Sequence, residues 1–183
     1  DLEVDVPGMG HVTYDLAFGG AYYAYVDATT HNLDLSKANV NELISKGRAI
    51  KQAVAAQRPI IHPFEEDLNF LYGTIFIGPP QDPTHHSRNV CIFAEGEVDR
   101  SPTGTGVCGR MALHYARGEV QLGETIEIES IIGTTFTGKV VEETTFGPRK
   151  AIIPEVEGTA YITGINEFVI DPDDPLKQGF IMR

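Results

Sequence analysis

The stretch Asp99-Arg100-Ser101-Pro102-Thr103-Gly104-Thr105-Gly106 joins a strand-like run, Asn89-Val90-Cys91-Ile92-Phe93-Ala94, to a helix-like run from Val107 to Arg117. The first run is rich in strand formers; the second carries Met111, Ala112 and Leu113 and has no proline. A junction poor in side-chain bulk leaves the first backbone N–H groups of the helix unpaired, where they and the helix dipole favour an anion. The junction therefore reads as a carboxylate or phosphate site on a helix that begins near Thr103 or Gly104. The helix is nearly all apolar, and such a helix is a buried one.

Outward from this point the chain is mostly β. Leu2 to Val6, Val12 to Leu16 and Ala21 to Val26 read as short strands separated by Pro7-Gly8-Met9-Gly10 and Phe18-Gly19-Gly20. Asn39, with Glu42 three residues on, reads as a capping box opening a helix whose Val40, Leu43, Ile44, Ile50 and Val54 share one face until Arg58-Pro59 stops it. Asn69 to Ile77 is a further strand, and Gly78 to Arg88 is a polar loop. Thr125 to Ile132, Thr134 to Glu142, Lys150 to Pro154 and Thr159 to Ile170 are all β-like. The later strands alternate polar and apolar residues, as antiparallel ones do. The expectation is an α+β fold of curved, mostly antiparallel strands around a buried central helix.

With 183 residues, 42% of them hydrophobic and 22% charged, the chain fits one domain with a sizeable core. A formal charge of −12 with only 14 Lys and Arg argues against nucleic acid as a partner. No apolar run is long enough to span a bilayer as a helix. Cys91 and Cys108 fall in no zinc-like or Cys-x-x-Cys spacing and read as apolar core residues; two unpaired thiols fit a reducing, cytoplasmic compartment. His62 and the pair His85-His86 are candidate metal ligands, but adjacent loop histidines need a third ligand to converge on an ion, so a solvated loop is preferred and no metal is expected. His114, one turn past Arg110, reads as a packed, hydrogen-bonded helix residue.

The junction also resembles an active-site motif of the proline racemase family, whose usual form is Asp-Arg-Ser-Pro-Cys-Gly-Thr-Gly. Here Thr103 stands at the cysteine position, which resembles the members that dehydrate trans-3-hydroxy-L-proline; proline racemases and 4-hydroxyproline epimerases have cysteine there. Phe18-Gly19-Gly20-Ala21-Tyr22-Tyr23-Ala24-Tyr25-Val26-Asp27-Ala28 and Gly158-Thr159-Ala160-Tyr161-Ile162-Thr163-Gly164 also look familial. The family's earlier Met-Cys-Gly-His motif, which holds the other catalytic cysteine, does not occur in this chain. The resemblance thus implies the C-terminal half of a longer protein with a diaminopimelate-epimerase-like fold and half an active site. Residues 1–157 would be the second of two domains, and residues 158–183 a strand and tail returning to the first. The family is usually dimeric, so a homodimer is expected.

The same resemblance assigns roles. Gly104 and Thr105 would present N–H groups to the substrate carboxylate, stabilising the enolate-like dianion formed as the α-proton leaves without any cofactor. Glycine at 104 would permit the turn and close ligand approach. Asp99 would hold the ring amine of an amino acid substrate, the alternative being a local cap. Phe93 would pack on the ring, the alternative being ordinary core. A hydroxyl cannot replace a thiolate base, so Thr103 would leave a single-base reaction, a syn elimination run by one thiol in the other half. Racemisation of proline or epimerisation of 4-hydroxyproline is the alternative activity. From other classes come a non-catalytic isolated domain and a dinucleotide-binding module, since Gly104-Thr105-Gly106-Val107-Cys108-Gly109 fits G-x-G-x-x-G. That fingerprint wants a strand running directly into its first glycine, and Asp99 to Pro102 intervene.

Overall fold

The computed structural model describes residues 1–181. Three strands, β1 (Leu2–Val6), β2 (Gly10–Phe18) and β3 (Tyr22–Asp27), precede helix α1 (Val40–Gln57). Then come β4 (Leu71–Gly78), β5 (Ser87–Phe93), the short β6 (Glu97–Val98), helix α2 (Gly104–Ala116), β7 (Thr125–Glu129), β8 (Thr135–Phe146) and β9 (Arg149–Gly158). The nine strands of the described residues join one sheet in the order β1-β2-β3-β4-β5-β7-β8-β9, with β6 paired on β5.

The sheet is mixed rather than wholly antiparallel. β3 pairs with β4, and β5 with β7, in parallel. Parallel neighbours cannot be joined by a tight turn, and each of these pairs is bridged by a helix: α1 between β3 and β4, α2 between β5 and β7. The remaining neighbours are antiparallel.

The two-residue period of β3 divides the helices between the faces of the sheet. Ala24 and Val26 point into the core made with Leu43, Ile50 and Val54 of α1. Tyr23 and Tyr25 point the other way, where the Tyr25 hydroxyl donates to the Gly106 carbonyl at 2.9 Å and the Tyr23 hydroxyl bonds Thr105 Oγ1 at 2.9 Å. Helix α2 packs against β2 near one end of the sheet and against β8 and β9 at the other, so the sheet curls around it. Its Val107 and Met111 are fully buried with Ile126, Ile128 and Val140, each such side chain worth roughly 1.5–3 kcal/mol. Glycines let the backbones close in: a methyl group at Gly19 would overlap the Thr105 carbonyl oxygen, and one at Gly109 the Tyr25 hydroxyl. This ties the Phe18-Gly19-Gly20 segment and the Tyr23/Tyr25 strand directly to α2.

Several expectations are corrected. The capping box does not form; Asn39 Nδ2 donates to Asp34 Oδ2 at 2.8 Å, an oxygen that also accepts from Ser36 Oγ. Helix α1 does end as expected, because Arg58 before Pro59 is driven to extended backbone. β8 and β9 form a longer hairpin than expected, extending to Phe146 and starting at Arg149. Thr159 to Ile170 is not a strand: it is exposed and unpaired, with Ile162 93% and Ile165 97% exposed. Cys91 is buried, but Cys108 is only half-buried. Among the described residues, no helix is long and apolar enough to cross a membrane.

Candidate active site

β6 and the loop after it deliver the Asp99–Thr103 turn to the start of α2. Asp99 N donates to the Cys91 carbonyl at 3.1 Å, which docks the turn beside β5. The Asp99 carboxylate then organises the turn from within: Oδ1 accepts from Ser101 N (2.8 Å) and Ser101 Oγ (2.9 Å), and Oδ2 accepts from Thr103 Oγ1 (2.8 Å). Asp99 is therefore satisfied locally, though not as a cap of α2, since none of these donors is a helical N–H. A carboxylate offers about four lone-pair sites. Three are used, which leaves room for one further donor.

Thr103 carries the strain. It is the N-cap of α2 at φ 69° and ψ 105°, with no side-chain capping bond. A positive φ at a β-branched residue costs on the order of 1–3 kcal/mol and persists only when its surroundings over-determine it. The expected turn residue was Gly104, but the left-handed position falls one residue earlier. At Gly104 the space where a Cβ would project is open for 4 Å. Because the Thr103 hydroxyl is turned to Asp99, the N–H groups of Gly104, Thr105 and Gly106 are left uncapped; the first intrahelical bond is Val107 N to Thr103 O, 2.8 Å. Threonine is a favoured N-cap, and here it leaves that work undone.

Around this start stand aromatic side chains. Phe93 stacks on Tyr72 with centroids 5.6 Å apart, and Tyr72 meets Tyr23 edge-on at 5.7 Å. Phe93 is only partly buried, packed at the rim of the Tyr23, Tyr25, Ile75 and Cys91 cluster. Burial raises the Tyr23 and Tyr25 hydroxyls above the usual tyrosine range, so both stay protonated. Burial also pushes the Cys91 thiol up to about 12, which makes it a neutral neighbour of the turn.

Beneath the turn lies a buried polar network that sequence reasoning missed, apart from the expectation that His114 is packed and hydrogen-bonded. Asn89 Nδ2 donates to the Pro102 carbonyl at 3.1 Å, and Asn89 Oδ1 accepts from Arg110 Nη1 at 3.0 Å. Arg110, 3% exposed, also donates to Ser87 Oγ (2.7 Å) and to His114 Nε2 (2.8 Å), and His114 Nδ1 bonds Glu119. Burial, then the Arg110 charge, lowers His114 below the usual histidine range. Burial likewise lowers Arg110, to about 10. The one signal available beforehand was Arg110 on a helix otherwise apolar enough to be buried, since a buried guanidinium requires acceptors.

The loop histidines are solvated only in part: His86 is exposed, as expected, while His85 is half-buried. His85 Nδ1 bonds Glu129 Oε1 at 2.9 Å, and that carboxylate, 2% exposed, also accepts from Gln81 N, Asp82 N and Arg88. His86 lies edge-on to His114 at 4.9 Å. His62 Nδ1 accepts from the N–H groups of Phe64 and Glu65. Among the described residues, no group of His, Cys, Asp and Glu is arranged to hold a metal. The G-x-G-x-x-G match is overturned: the β6 hairpin separates β5 from α2, and Gly106 and Gly109 are pressed against Ile75 and Tyr25 instead of a ligand.

A helix start with free N–H groups beside a carboxylate that has one acceptor site left can take an anion on one side and a cation on the other. Those are the two ends of an amino acid. The architecture is that of a mixed-sheet α+β domain curled around one central helix. The chain belongs to the proline racemase family, whose profile matches residues 1–181. It is 50% identical over its full length to a trans-3-hydroxy-L-proline dehydratase of Colwellia psychrerythraea, covering 52% of that protein. It is 46% identical to a 3-hydroxyproline 2-epimerase of Burkholderia multivorans, covering 55% of it. A hydroxyproline epimerase structure from Agrobacterium vitis, with bound trans-4-hydroxy-L-proline, superposes on the whole chain with a TM-score of 0.89 at 32% identity, covering 52% of that structure. The chain spans about half the length of the curated relatives it matches.

Proposed function

We propose that this chain forms one wall of an enzyme that dehydrates trans-3-hydroxy-L-proline to a pyrroline-2-carboxylate, the opposite wall coming from a first domain of the kind its longer relatives carry. The observation that carries this reading is Thr103: its only hydroxyl proton is engaged by Asp99 Oδ2, so this wall has no acid or base to offer the α-carbon. Racemisation or epimerisation needs proton transfer on both faces of the ring; an elimination needs one face only.

The substrate carboxylate sits on the N–H groups of Gly104 and Thr105, which stabilise the charge that develops there as the α-proton leaves. Asp99 accepts from the ring ammonium through its free lone pair, a charge-assisted bond. Phe93 lines the ring. In trans-3-hydroxy-L-proline the hydroxyl and the α-hydrogen lie on the same face, opposite the carboxylate, so one thiol of the first domain can remove the proton and return it to the departing hydroxyl as water leaves. Thr103 closes the other face. Every group in this scheme is a side chain or a backbone donor, and no cofactor is required. Residues 158–181, exposed and rich in apolar side chains, are suited to return to that first domain. The enzyme is read as a cytoplasmic homodimer, in keeping with two free thiols in this chain.

The 46% identity to a 3-hydroxyproline 2-epimerase supports a second reading, inversion at the α-carbon of the same substrate. Product analysis of the complete protein with L-proline, trans-4-hydroxy-L-proline and trans-3-hydroxy-L-proline decides between them. Pyrroline-2-carboxylate from the last substrate alone supports the dehydratase; efficient racemisation or epimerisation of any of the three overturns it.

A further inference from the structure

The Pro102–Thr103 peptide unit is held at both ends. Its carbonyl accepts from Asn89 Nδ2 at 3.1 Å, and its N–H donates to Ser101 Oγ at 3.0 Å. In a trans peptide these groups point in opposite directions, so the two bonds together resist rotation of the plane. That rotation is the motion by which Thr103 could escape its φ of 69°, because turning the plane changes ψ of residue 102 and φ of residue 103 together.

The Asn89 side chain cannot reverse. A guanidinium is a donor only, so the atom facing Arg110 must be Oδ1, which leaves Nδ2 for the Pro102 carbonyl. Arg110 is itself fixed by Ser87 and His114. We infer that Asn89, oriented by Arg110, is a positioning residue: it locks the Pro102–Thr103 peptide so that Thr103 keeps its strained backbone and its hydroxyl stays on Asp99. Asn89 is fully buried beneath the turn and acts through Thr103 alone. The inference rests on the proposed role of Thr103 and Asp99 for its kinetic consequence, but not for its structural one.

The test is Asn89→Asp in the complete protein. Aspartate has the same shape and gives Arg110 a charged acceptor, so the core keeps its support, yet it sets an oxygen against the Pro102 carbonyl where a donor stood. The expected result is a crystal structure with φ of Thr103 turned negative and its hydroxyl off Asp99. The accompanying kinetics show kcat lowered about tenfold to a hundredfold with KM changed much less, the scale of an ångström-level misplacement. Ser101→Ala releases the other end of the same peptide without touching the core, giving up one of the two Ser101 bonds to Asp99 while the backbone one remains, and is expected to lower kcat in the same manner. If both are released, the double variant falls short of the product of the two single losses, because either release frees the same plane. Retention of the positive φ in Asn89→Asp overturns the inference. So does a fall in kcat that follows lost thermal stability alone. If the complete wild-type protein dehydrates nothing, the functional reading fails, while the backbone angle of Thr103 in the variant still decides this one.

Discussion

Thr103 Oγ1 donates its single proton to Asp99 Oδ2 at 2.8 Å, so the hydroxyl presents only lone pairs to anything bound above the start of α2. The carboxylate that would hold the substrate amine is also the group that disarms the side chain at the family's cysteine position.

Thr103→Cys in the complete protein puts an ionisable thiol on this wall, with an ordinary pKa near ~8.5 that a pocket can tune. The variant is expected to gain proline racemase or hydroxyproline epimerase activity while retaining some elimination. A donor about 1 Å from its best position loses about a hundredfold in rate, so the new activity is expected to be slow. Incorporation of solvent deuterium at the α-carbon with inversion measures it; no exchange above the wild-type background would mean that the residue at 103 does not set the number of working faces.

Asp99→Ala removes the proposed partner of the substrate amine and leaves Ser101 and Thr103 without their shared acceptor. A hydrogen bond to a charged group contributes about 1.5–3 kcal/mol, and with the turn loosened as well kcat/KM is expected to fall about a hundredfold or more. Asp99→Asn separates the two effects, since an amide still bonds within the turn but carries no charge for the amine. It is expected to fold as the wild type does and to bind substrate as poorly as the alanine variant. Near-normal dehydration by Asp99→Asn would reduce Asp99 to a local organiser of the turn.

The order of strands and helices was largely legible because its causes are local. The break at Phe18-Gly19-Gly20 marks Ala21 to Val26 as a strand, found at Tyr22–Asp27, the Leu43, Ile50 and Val54 face marks α1, and proline ends that helix. The parallel pairings were not legible, since the choice of neighbour is made by helix crossovers and not by a strand's own residues. Thr159 to Ile170 has strand-forming side chains, but a strand needs a partner, and none is offered within the described residues. Within the site, Asp99, Thr103 and the helix start follow from the motif. The left-handed backbone at Thr103 does not, because a glycine stands next to it and a β-branched residue is the less natural choice for a positive φ. The bonds that hold it come from Asn89 and Ser101, the first of them 13 residues from the Pro102 carbonyl it binds.

The histidines impose opposite pH dependences on stability. Burial, then Arg110, holds His114 below its ordinary value of 6.5. Below pH 6.5 the unfolded chain therefore takes a proton that the folded one refuses, and stability is lost as pH falls. His85 is raised, chiefly by its bond to Glu129, so its contribution is fully present below pH 6.5 and disappears as pH rises through the folded value. Thermal melts of the complete protein from pH 8 to pH 5.5 are expected to show His114→Gln flattening the acid-side loss and His85→Gln steepening it. The same slope in both variants would mean that neither histidine titrates differently on folding.

Gly109 makes the packing of α2 testable without reference to any substrate. Alanine in place of a helical glycine ordinarily stabilises by about 1 kcal/mol, yet a methyl group here overlaps the Tyr25 hydroxyl that donates to the Gly106 carbonyl. Either the hydroxyl or the helix must move. Overpacking of a rigid core costs about 1–3 kcal/mol and a lost buried hydrogen bond about 0.5–1.5, so against that gain Gly109→Ala is expected to destabilise by about 0.5–3.5 kcal/mol net. Tyr25→Phe deletes the overlapped oxygen, although the ring carbon behind it stands 3.0 Å from the new methyl and stays tight. The double variant is therefore expected to recover most of the Gly109→Ala loss, leaving it near the smaller cost of Tyr25→Phe alone. Denaturant titrations of the four proteins give the coupling directly. Simple additivity of the two substitutions would show that α2 is not seated on Tyr25, and the link between the strand Tyr22–Asp27 and the start of the helix would have to be withdrawn.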